Sequence, residues 1–161
     1  MRRFADLASQ SRGAFLGAAV GDALGWPQEQ NSRLVGSDSS RRPEPVPELR
    51  GWSREAGTRY QRYLDPVGAG AYSDDTQLIL AVARSLHAAD WFGHLVEREL
   101  PQFTLYQRGA GGATLRACRA WSAGRSPWEG GTTKAASEGV RQYFRAGGNG
   151  VAMRIAPHLV V

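Results

Sequence analysis

Tyr72-Ser73-Asp74-Asp75-Thr76-Gln77-Leu78-Ile79-Leu80 is the stretch whose reading decides the fold. Ile79, Val82, Ala83 and Leu86 recur at helical spacing, so a helix is predicted to begin at about Asp74 with Ser73 as its N-cap. Two readings of the acidic pair stand side by side. The dipole of a helix favours acids in its first turn whatever their function. One capping oxygen would suffice for that purpose, yet here two adjacent carboxylates lie between two hydroxyls. Such a concentration of hard oxygen donors suits Mg²⁺ or Mn²⁺ rather than a soft-ligand zinc site.

Upstream, Gly13, Gly17, Gly21 and Gly25 recur every fourth residue and line one face of a second predicted helix. Each interior glycine costs about 1 kcal/mol relative to alanine, so a helix backbone or a ligand is expected against that face. Asp22 lies on this otherwise apolar element and needs a partner if buried. Pro27 is expected to help end the helix, which puts Glu29 just beyond it. Helical segments are predicted near residues 11–24, 74–88, 91–100, 113–123 and 150–156, and period-two alternation is hard to find. The fold class is therefore all-α, a compact multi-helix domain. Segment 30–70, with Pro43, Pro45, Pro47 and Pro66, excludes long regular elements. It reads either as an active-site loop region joining two site motifs or as a surface insertion.

Composition narrows the function. The chain has 161 residues, 42% hydrophobic and 22% charged, which is the make-up of one globular domain rather than a disordered segment. Its formal charge of +5 comes from arginines, with Lys134 as the one lysine. Arg50, Arg54, Arg59 and Arg62 alternate with Glu48 and Glu55, a mixed surface that argues against a nucleic-acid stripe. The single cysteine, Cys118, allows no intrachain disulfide, and a reducing cytoplasm fits best. Arg2-Arg3 and the apolar run from Ala14 to Val20 imitate a signal peptide. Asp6 and Asp22 bracket that run, however, and it is too short to span a bilayer. The apolar end, Ile155-Ala156-Pro157-His158-Leu159-Val160-Val161, is expected to meet more protein, as a cut through a larger domain or as a surface for a second chain.

Two glycine-rich turns, Gly109-Ala110-Gly111-Gly112 and Gly147-Gly148-Asn149-Gly150, each precede a possible helix. Exposed N–H groups at such junctions can receive phosphate oxygens, although glycine turns are also ordinary punctuation. Arg154 is expected to meet an acidic side chain or a phosphate.

Taken in order, these elements resemble the ADP-ribosylglycohydrolase family. The resemblance is carried by Gly21-Asp22-Ala23-Leu24-Gly25 with Glu29 following, by Ser73-Asp74-Asp75-Thr76, by the two glycine turns, and by Asn149-Gly150-Val151-Ala152-Met153-Arg154-Ile155. It implies hydrolysis of the bond between ribose C1 and a modified protein side chain, arginine or serine, with two Mg²⁺ or Mn²⁺ ions in the complete site. Ser73, Asp74 and Asp75 are the implied metal ligands, and Glu29 and Asp75 the implied catalytic residues. Gly109, Gly111, Gly112, Asn149 and Gly150 are the implied ADP-ribose contacts. The implied partner is an ADP-ribosylated protein or an ADP-ribose-containing small molecule, and no membrane.

The resemblance also implies a second ligand motif of Asp-Thr-Asp type far downstream, in a domain of which residues 1–161 form the N-terminal half. No Asp-x-Asp occurs among Asp6, Asp38, Asp65 and Asp90. The 161-residue chain alone is thus expected to bind metal weakly and hydrolyse little. The alternative is a truncated, non-catalytic member acting as a binding or partner-dependent module.

Overall fold

In the computed structural model, which describes residues 7–35, 46–58, 60–130 and 132–159, the helix predicted from Ser73 starts where its cap requires. This helix (Asp74–Ser85, α2 in the order below) has Ser73 in extended conformation, its Oγ accepting the Asp75 N–H at 3.2 Å. Leu78, Ala81 and Val82 face inward from it and are almost wholly buried. They form the core with Leu95, Val96, Leu100, Phe103 and Cys118. The chain order is α1 (Leu7–Val35), β1 (Trp52–Gly57), β2 (Arg62–Val67), α2, α3 (Trp91–His94), α4 (Leu100–Tyr106), α5 (Gly112–Ser122) and α6 (Lys134–Phe144). A π-helical turn (Leu95–Glu99) joins α3 to α4, and two 3₁₀ turns (Ala152–Arg154 and Ala156–Leu159) follow α6. The architecture is mostly helical, as expected.

Three expectations need correction. Helix α1 does not stop near Pro27 but carries it in its interior and continues to Val35, so Glu29 is a helical residue. An interior proline removes a helical hydrogen bond and costs about 3 kcal/mol or more. Burial of Trp26 and Pro27 offsets this, and the Gln28 Nε2 donates to the Leu24 carbonyl at 2.7 Å. No helix backbone covers the glycine face among the described residues, and Gly21 and Gly25 border a cavity instead. A Cβ built at Gly13, Gly17, Gly21 or Gly25 meets nothing within 4 Å among the described residues. Helix α1 packs through Ala23 and Trp26 instead, while Leu7, Leu16 and Val20 stay exposed.

The third correction concerns segment 30–70, which holds a two-stranded antiparallel sheet with Trp52 opposite Val67 and Gly57 opposite Arg62. Arg54 and Asp65 pair across it at 2.7 Å, and Trp52 meets the edge of Trp26 at 5.2 Å. Charged side chains on both strands hide the alternation that marks a strand in sequence; the burial pattern of β1 alternates nonetheless. Residues 36–45 of the segment, with Asp6, Val160 and Val161, lie outside the described residues.

Helix α6 was not anticipated from the sequence. Ala136, Val140 and Tyr143 recur along it at helical spacing, and Thr133 caps it by accepting the Ala136 N–H at 3.2 Å. The expected helix at 91–100 exists but changes register through the π turn. There Glu99 accepts from the Arg84 Nε at 2.9 Å and Nη2 at 2.6 Å, fastening that turn to α2.

Candidate active site

Asp22 is the residue that assembles the site. Its Oδ2 accepts the Ser73 N–H at 2.9 Å, the Thr76 N–H at 3.1 Å and the Thr76 hydroxyl at 2.6 Å. A carboxylate from α1 thereby satisfies donors that the first turn of α2 would otherwise leave without helical partners. The need for a partner at Asp22 is met by a helix terminus. Gln77 makes the second clamp. Its Nε2 donates to the Tyr106 carbonyl at 3.1 Å and its Oε1 accepts the Arg108 N–H at 2.9 Å, while the Asp74 N–H donates to the Arg108 carbonyl at 2.8 Å. These bonds press the first glycine turn against the acidic pair. Gly109 has φ +92°, and a Cβ there would lie 3.2 Å from the Trp26 indole nitrogen and 3.3 Å from Asp74 Oδ1. Glycine answers both the backbone angle and the lack of room.

Asp74 and Asp75 face a cleft of about 670 Å³, which Glu29, Gly109, Gly111, Gly148, Asn149, Gly150 and Arg154 also line. A smaller cavity of about 310 Å³ brings Asp22, Glu29 and Asp75 together beside Gly21 and Gly25. The structure therefore unites Glu29, Asp74, Asp75, both glycine turns and Asn149. Gly112 is not on the cleft: it opens α5, and the Arg116 guanidinium lies over it. Ser73 is buried beneath Asp75 as the cap.

Burial, then the neighbouring charges of Asp75, Glu29 and Asp22, push the Asp74 carboxyl up to about 7, against a smaller lowering by a backbone N–H. Burial and Asp22 also raise Asp75. Ionised oxygens crowded in this way favour a divalent cation, and the hard donors match Mg²⁺ or Mn²⁺. Among the described residues no group of three or more His, Cys, Asp or Glu side chains is placed to hold a metal ion, so the donors fit in kind and form a partial set.

A pH effect follows for the metal-free protein. Below the unfolded value of 3.8 the Asp74 carboxyl is neutral in both states and costs nothing. Between 3.8 and about 7 the unfolded chain releases its proton and the folded one retains it, so stability falls as pH rises. Asp74→Asn is expected to stabilise the metal-free protein at pH 8 by roughly 2–4 kcal/mol, with the gain vanishing by pH 4. Chemical denaturation in EDTA at the two pH values measures it, and an equal effect at both would contradict the assignment.

Sequence reading missed the aromatic wall of the cleft. Phe92 meets Trp121 at 6.0 Å, Trp121 meets Trp128 at 5.2 Å, and Trp128 meets Tyr143 at 6.0 Å. These residues come from separate elements with no shared period, so no local signal joins them. Arg154 stands on the same cleft, and burial lowers its guanidinium pKa against the opposing pull of Cys118 and Tyr143. No carboxylate pairs with it among the described residues.

No described helix is long and apolar enough to cross a membrane. No curated protein and no solved structure matches the chain. The family model described as ADP-ribosylglycohydrolase matches residues 4–161. With that match over almost its whole length, and with the acidic pair, Glu29 and both glycine turns gathered on one cleft, the chain belongs to the ADP-ribosylglycohydrolase family.

Proposed function

We propose that the cleft binds ADP-ribose attached to a protein side chain, of arginine or serine type, and supports hydrolysis of the bond at ribose C1. The observation that carries this reading is the meeting on one cleft of the acidic pair, Glu29 and two glycine-rich turns, the first of them packed against Asp74, beside an aromatic wall. Asp74, Asp75 and the Ser73 hydroxyl would hold Mg²⁺ or Mn²⁺. When bound, the ions supply positive charge that orients the ribose hydroxyls and makes a nearby water more acidic. Glu29, on the same cleft, accepts a proton from the attacking water. The turns at Gly109–Gly111 and Gly148–Gly150 receive the diphosphate, and the aromatic wall excludes water around the base. Release of ADP-ribose from a modified peptide, present with Mg²⁺ and abolished by EDTA, is the direct test.

Arg154 is assigned to the diphosphate. A guanidinium withdrawn from water without a carboxylate partner is costly, and an anionic ligand group removes that cost. Arg154→Gln is expected to weaken ADP-ribose binding by about tenfold or more, since a charge-assisted bond is worth about 1.5–3 kcal/mol. Calorimetric titration with ADP-ribose decides; an unchanged affinity would return Arg154 to a packing role.

The incomplete carboxylate set favours a second reading, a family member that binds ADP-ribose without cleaving it. Tight ADP-ribose binding with no metal-dependent release would select it.

A further inference from the structure

A cavity of about 420 Å³ lies between α5 and α6 and is lined by different chemistry from the cleft. Ala113, Ala117 and Ala120 lie one helical turn apart along α5, and Ala136, Val140 and Tyr143 do so along α6. Both helices turn an apolar face to the gap, but alanines are too short to close it. What remains is a cavity with more apolar than polar lining, within the size range of small-molecule sites.

Its rim is cationic. Arg116 and Arg119 are three residues apart on α5. Gly124, at φ +67°, turns the chain at the end of that helix, and the Arg125 N–H bonds back to the Ala120 carbonyl at 3.0 Å, which brings Arg125 to the same opening. Among the described residues none of the three is paired with a carboxylate. One acid, Glu129, borders the cavity, and both its oxygens are engaged: Oε2 accepts the Ser126 N–H at 3.3 Å and Oε1 the Ser126 hydroxyl at 3.1 Å. Three guanidiniums against the single Glu129 carboxylate leave the lining with net positive charge, which a ligand carrying negative charge offsets. Arginine forks match phosphate oxygens in pairs.

We propose that this cavity is a second binding site, separate from the carboxylate cleft, for a phosphate-bearing ligand with a flat apolar body, of the nucleoside-phosphate class. The body enters the alanine-lined cavity and the phosphates meet Arg116, Arg119 and Arg125. Ala113, Ala117, Pro127 and Tyr143 border both this site and the cleft, so the two share one wall.

ADP is a suitable probe, with methyl-labelled alanine and backbone amide NMR spectra of the whole chain. Ala120 and Ala136 line this cavity and not the cleft. Their methyl resonances should shift saturably with ADP. Arg119→Ala/Arg125→Ala should weaken that transition by about tenfold or more at unchanged Tm, because two charge-assisted contacts are lost. Methyls that stay still while ADP saturates the Gly148–Gly150 amides would overturn the proposal. An identical titration in the double variant would also overturn it. Methyls that move while those amides stay still would leave the second site standing and count against the cleft as a nucleotide site.

Discussion

Asp75→Asn is expected to lower ADP-ribose release by about 100-fold or more at saturating Mg²⁺ while the fold survives. The amide keeps the size of the side chain but removes one negative charge from the point where the acidic pair meets Glu29 in the cleft. A metal held by hard anionic oxygens loses both affinity and position when one becomes neutral. Mn²⁺ binding, which can be read without turnover, should weaken by about tenfold or more in the same variant. Stability should change little. The helix-dipole contribution of a first-turn acid is about 1 kcal/mol at most. Burial and the Asp22 charge already disfavour ionisation at Asp75, and the amide relieves that strain. If Asp75 is only a favourable first-turn residue, turnover and Mn²⁺ affinity will both match the parent protein. That pair of results would remove the metal assignment.

Asp22→Ala is expected to be the most destabilising single change in the site, by about 3–5 kcal/mol, because it strips a charged acceptor from several donors at once. Ser73 and Thr76 are both buried, and water entering from the adjoining cavity would offer them a neutral acceptor in place of a charged one. With roughly 2–4 °C of Tm per kcal/mol for a domain of this size, a fall of about 10 °C is the expected readout. Asp22→Asn retains an acceptor oxygen and should lose roughly half as much, since neutral hydrogen bonds are about half as strong. Equal Tm values for the parent and the alanine variant would show that α2 needs no cap from α1.

Local sequence determined the element that carries the acidic pair. Ser73, Asp74 and the apolar spacing from Ile79 to Leu86 specify where α2 begins, because capping and helical periodicity act over a few residues and need no distant partner. The glycine turns and Glu29 were likewise legible as candidates, although only the order of motifs, through family resemblance, suggested one ligand for them. Where competing terms had to be weighed across the chain, local rules failed. Pro27 opposes a helix locally, yet α1 runs through it, because Trp26 and Pro27 are buried where the hairpin adds Trp52. The hairpin itself is held by cross-strand pairs such as Arg54 with Asp65, which are invisible until the strands meet. Tertiary structure alone decided the role of Asp22, which the sequence marked as an acid in need of a partner and the fold turned into the clamp on α2. It also decided the aromatic wall and the elevated Asp74 carboxyl. Both depend on how closely groups far apart in the chain are brought together, and desolvation and charge repulsion act through that distance, not through sequence separation.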